Sequence, residues 1–69
     1  MALHRQLARP TSHAEFLSYA KMYRIYGELL DCVLDRLKVK AETRDAQIAI
    51  LRRTDWECVN EAIEKILAE

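Results

Sequence analysis

Residues 12–37 read SHAEFLSYAKMYRIYGELLDCVLDRL, and the spacing of their apolar side chains decides the fold. Phe16, Tyr19, Tyr23, Tyr26, Leu30, Val33 and Leu37 are separated by 3, 4, 3, 4, 3 and 4 residues, which keeps them on one face of an α-helix. Met22, Ile25, Leu29 and Cys32 make a second row beside the first, so the apolar arc covers more than half of the circumference. One neighbouring helix cannot cover an arc that wide. The stretch is therefore expected to be a long helix, about 12–38, that packs on the rest of its own chain and on a second copy.

Upstream, Ser12-His13-Ala14-Glu15 matches a capping box, with the Ser12 hydroxyl accepting from the Glu15 N–H and the Glu15 carboxylate reaching back to Ser12. Residues 1–11 have no sustained period, and Pro10 biases Arg9 away from helix. They read as an N-terminal arm, free or tied down by Leu3 and Leu7, ahead of a single helical domain over 12–69. Inside the helix, Lys21, Arg24, Glu28, Asp31 and Asp35 form a polar strip; Glu28 can pair with Arg24, while Asp31 and Asp35 face water. Gly27 costs about 1 kcal/mol relative to Ala in a helix interior. With Ala20 seven residues earlier, it offers a place for another helix to come close; the plainer reading is a kink beside a bulky Tyr.

Downstream, the dense apolar pattern stops at Leu37, and Lys38-Val39-Lys40 is the expected turn. A second helical stretch runs over 41–53 and ends on Arg52-Arg53, where cations suit a helix C-terminus. Thr54-Asp55-Trp56-Glu57 is a second capping box, opening a helix over 55–68 with Trp56, Val59, Ala62, Ile63, Ile66 and Leu67 on one face. Two outlines follow: three helices with a bend at Thr54, or a two-helix hairpin with 41–68 continuous. Continuity would put Arg52 and Asp55 on the apolar seam, which favours the bend. The fold class is thus all-α, a helical hairpin of two or three helices (12–38, 41–53, 55–68) that dimerises into a helical bundle.

Composition agrees: the 69 residues are 51% hydrophobic with one Gly and one Pro, too apolar for disorder and too poor in turn residues for a many-stranded sheet. A chain of this size buries only about 60% of the surface its unfolded form exposes, so association would add needed stability. Eleven Lys and Arg balance eleven Asp and Glu, which gives no global pull toward nucleic acid or membrane. The charge is polarised, however: residues 1–53 hold ten basic and six acidic side chains, and 54–69 hold Lys65 against five acids.

No run approaches the roughly 20 apolar residues of a membrane span. Arg5 and Arg9, with no acid before Pro10, are a weak echo of a mitochondrial presequence, but the segment is short and lacks serine. With no apolar secretory leader either, the expected setting is the reducing cytoplasm, with Cys32 and Cys58 reduced, buried and chemically quiet.

For chemistry, His4, His13, Cys32 and Cys58 lack the close ligand spacing of a metal site, and no glycine-rich loop cradles phosphate. No cofactor, metal or catalytic residue is assigned, and no small-molecule substrate is expected. Two surfaces remain. Phe16, Tyr19, Ala20, Tyr23, Tyr26, Gly27, Leu30 and Val33 are the expected homodimer or protein-partner interface, since tyrosines bring large contact area with a polar tip. Arg36, Lys38, Lys40 and Arg44 around the turn are candidate nucleic-acid contacts, diluted by Asp35 and Glu42. The leading expectation is a non-catalytic homodimer acting as a regulator or adaptor through protein–protein interaction; the alternative is a small nucleic-acid-binding regulator.

Overall fold

The stretch that opens the reading forms two helices, not one. In the computed structural model, which describes residues 8–69, Tyr23 is extended (φ −125°, ψ 126°) and separates α1 (His13–Met22) from α2 (Arg24–Arg36). The Tyr23 N–H donates the last bond of α1, to the Tyr19 carbonyl at 2.8 Å, and its own carbonyl accepts from the Tyr26 and Gly27 N–H groups, both at 3.1 Å. One residue thus ends one helix and caps the next. The chain folds back on itself at that corner, so α1 and α2 pack against each other within one molecule.

Gly27 belongs to this corner: a Cβ placed on it would lie 3.5 Å from the Ala20 carbonyl oxygen, an ordinary contact. The close approach expected of Ala20 and Gly27 joins α1 to α2 within the chain.

Two further helices follow, α3 (Arg44–Arg53) and α4 (Trp56–Ala68), giving four among the described residues where two or three were expected. The bend at Thr54 is present, so 41–68 is not continuous. Ser12 caps α1 as expected, its hydroxyl accepting from the Glu15 N–H at 3.1 Å. The Glu15 carboxylate instead accepts from the Thr11 N–H at 2.8 Å, one residue earlier than a capping box requires.

At Thr54 the expected box is absent. The hydroxyl donates back to the Ile50 carbonyl at 2.9 Å, and Asp55, the N-cap of α4, makes no side-chain capping bond. The cap that the sequence reading missed is Thr43, whose hydroxyl accepts from the Ala46 N–H at 3.2 Å. It starts α3 at Arg44 rather than at Ala41.

The α2–α3 turn is a Schellman motif without glycine. The Val39 N–H donates to the Leu34 carbonyl at 2.9 Å and the Lys38 N–H to Asp35 at 3.0 Å, and Lys38 holds the left-handed position at φ 60°. Val39, just after it, packs on the core.

That core draws on every helix. Phe16 and Leu17 come from α1, Tyr26, Leu29, Leu30, Val33 and Leu34 from α2, Leu51 from α3, and Val59, Ala62, Ile63 and Ile66 from α4. Helix α2 packs against α1 and α4, and α1 against α3. At the far corner, His13 Nε2 lies 2.8 Å from the Thr54 carbonyl, and since a carbonyl only accepts, that nitrogen carries the proton. The His13 ring also meets Trp56 edge-on at 5.3 Å. These contacts hold the start of α1 to the α3–α4 bend. None of the helices among the described residues is long and apolar enough to cross a membrane.

Candidate functional site

The eight residues expected at an interface are divided by the corner. Phe16, Tyr26, Leu30 and Val33 are buried inside the single chain. Tyr19, Ala20 and Gly27 are partly buried, and only Tyr23 is exposed. Tyr23 at 52% and Met22 at 62% are the exposed large hydrophobics of the described residues, adjacent at the point where α1 meets α2.

Behind them the tyrosines form a cluster. Ring centroids lie 5.0 Å apart for Tyr19 and Tyr26, 5.9 Å for Tyr23 and Tyr26, and 6.4 Å for Tyr19 and Tyr23, distances at which tilted aromatic pairs attract. The Tyr26 hydroxyl donates to the Ala8 carbonyl at 2.8 Å. Burial holds the Tyr26 pKa above its ordinary value of 10.0, reinforced by the neighbouring Tyr19 and Tyr23 hydroxyls and the Glu15 carboxylate. The described part of the arm continues from Ala8 as a strap across the helices. Arg9 reaches Asn60 at 3.0 Å and Glu64 at 3.2 Å, and Pro10 is buried. Leu3, Leu7 and His4 lie outside the described residues.

The basic turn is only partly free. Arg36 pairs with Glu69, and Arg44 pairs with Asp31 at 2.8 Å, so Asp31 does not simply face water. Lys38 and Lys40 are exposed and make no ion pair among the described residues. The expected Arg24–Glu28 pair is present at 3.5 Å.

The cysteines correct the reading most plainly, for both are exposed. Cys58 lines an open hollow of about 260 Å³ with Arg36 and Lys65, and Cys32 lines one of about 290 Å³ with Arg36 and Glu69. Their helical phase lies at the edge of the apolar arc, beside the Arg36 side chain that lines both hollows. Among the described residues no group of three or more His, Cys, Asp or Glu side chains stands together as a metal site. Comparison with protein-family models, curated proteins and solved structures found no match.

Proposed function

We propose that this chain is a non-catalytic helical module that acts as a regulator or adaptor by binding protein, with a second copy of itself as the first partner. One observation carries the reading: Met22 and Tyr23 stand exposed side by side at a corner of fixed geometry, backed by two more tyrosines. A small protein has little reason to leave two large apolar side chains adjacent in water, and such patches mark interaction sites. The corner is small against the roughly 1,200 Å² of total buried surface that stable complexes reach, so self-association should be concentration-dependent.

Light scattering under reducing conditions tests this directly. The mass should rise from monomer toward dimer with concentration, and Tyr23→Glu should hold it at the monomer while leaving helicity unchanged. A monomeric mass at all concentrations, identical for wild type and variant, would remove the dimer from the proposal.

The nucleic-acid alternative rests on Lys38 and Lys40, because Arg36 and Arg44 already serve carboxylates of the same chain. Retention on heparin that falls steeply with salt and is lost in a Lys38→Ala, Lys40→Ala variant would favour it over the protein-binding reading.

A further inference from the structure

A groove along the seam of α1 and α3 has chemistry of its own. Toward the start of α3, Leu17, Ala20, Gly27, Leu30 and Ile48 line an apolar cavity of about 170 Å³, with Lys21, Arg44 and Asp45 at its rim. Toward the end of α3, Ala14, Ser18 and Arg52 line an adjoining hollow of about 240 Å³. Leu17 and Lys21 belong to both, so the two hollows adjoin along that wall. Arg44 and Arg52 are eight residues apart on α3, about 12 Å along a helix axis, and Lys21 lies between them on the opposite wall. The small residues Ala20 and Gly27 are what leave the floor open.

We infer that this groove binds an acidic protein segment carrying an apolar side chain: the side chain enters the cavity over Ala20 and Gly27, and flanking carboxylates meet Lys21 and Arg52, Arg44 being already paired with Asp31. Charge complementarity names the occupant. Lys21 and Arg52 make no ion pair among the described residues, whereas Arg9 and Lys65, whose partners lie on the acidic α4, are paired. The groove therefore offers unspent positive charge beside an apolar floor. A phosphate backbone would use the cations but leave the apolar cavity empty; Asp45 at the rim opposes either anion and leaves the apolar floor to discriminate. The inference rests on the protein-binding reading but uses a different surface, so the corner and the groove can fail separately.

The probe is a helical peptide of about 15 residues, with Leu at i, i+3 and i+7 and Glu at most other positions. Amide shifts of isotope-labelled full-length protein are followed by NMR as it is added. Shifts should concentrate at Leu17, Lys21, Gly27, Ile48 and Arg52, and affinity should fall with salt. Lys21→Glu with Arg52→Glu should weaken binding by roughly tenfold or more, as reversal of paired rim charges does. Both side chains are exposed, so the fold should survive, and the unperturbed remainder of the spectrum verifies that.

No shifts at millimolar peptide would overturn the inference. So would shifts confined to Met22–Ile25, equal binding of a Lys-for-Glu peptide, or a single-stranded oligonucleotide that shifts the groove residues when the acidic peptide does not. Concentration-dependent shifts at Met22 and Tyr23 without peptide report self-association through the corner independently.

Discussion

Lys38 carries a backbone conformation that its side chain does not favour. A left-handed residue other than glycine costs about 1–2 kcal/mol, and glycine at that position gives back about 0.5–1 kcal/mol through the freedom of its unfolded chain. Lys38→Gly is therefore expected to stabilise the protein by about 0.5–1 kcal/mol in urea denaturation. Should Lys38 also contact phosphate, the same variant would gain stability while losing heparin retention, a split that no purely structural role produces.

Tyr26 has the opposite character, well placed and costly to ionise. Its pKa is raised in the folded state by burial, so its contribution to stability is fully present below the unfolded value near 10.0 and is lost as pH rises through the higher folded value. Thermal midpoints should fall above that pH, and Tyr26→Phe should lessen the fall. At neutral pH Tyr26→Phe should cost about 0.5–1.5 kcal/mol for the lost bond to Ala8. An alkaline profile identical in wild type and variant would assign the fall to other groups.

Helix ends show how local chemistry selects between readings that look alike in sequence. Thr43 and Thr54 both precede helices, but only the Thr43 hydroxyl accepts from a first-turn N–H; that of Thr54 donates backward to Ile50. Thr43→Ala should thus cost about 0.5–2 kcal/mol and Thr54→Ala less, as measured by chemical denaturation. Equal losses would mean that the two hydroxyls do comparable work.

The all-helical class and the Ser12 cap were legible in the sequence, and so was the Thr54 bend, through the apolar seam that Arg52 and Asp55 would have interrupted and not through the capping box expected there. The break at Tyr23 was not. Tyr is no helix breaker and the apolar spacing runs through it unchanged; what accompanies the break is tertiary, for with the chain folded back Phe16 is fully buried in one core with Tyr26 and Leu30. Periodicity likewise reports that a face is buried without saying which molecule buries it. For that reason Phe16, Leu30 and Val33 read as an interface and turn out to be core, while Tyr23 from the same row stays exposed.

At the scale of the whole molecule, the question is whether a chain of 69 residues stands alone. Folding back at Tyr23 lets one copy build a core in which Phe16, Leu30, Val33, Leu51, Val59 and Ile63 are all fully buried, so truncating any of them should destabilise the chain whatever its association. Phe16→Ala is expected to cost about 3–5 kcal/mol, a large share of the stability of so small a domain. Met22 is mostly exposed and Tyr23 meets the core only through its ring's contacts with Tyr19 and Tyr26, so charging them should cost the monomer those contacts, about 0.5–1.5 kcal/mol each. If the corner joins two copies, mass action couples association to folding, and the thermal midpoint rises with protein concentration. Wild type should show that rise in reducing buffer, whereas Met22→Lys with Tyr23→Lys should melt at one temperature at every concentration, a few degrees below the wild-type midpoint at high dilution for the lost ring contacts. A variant midpoint far below that dilute value would place the two side chains in the core. A wild-type midpoint that does not move with concentration would show that the single chain supplies all of its own stability, leaving the corner free for a partner other than itself.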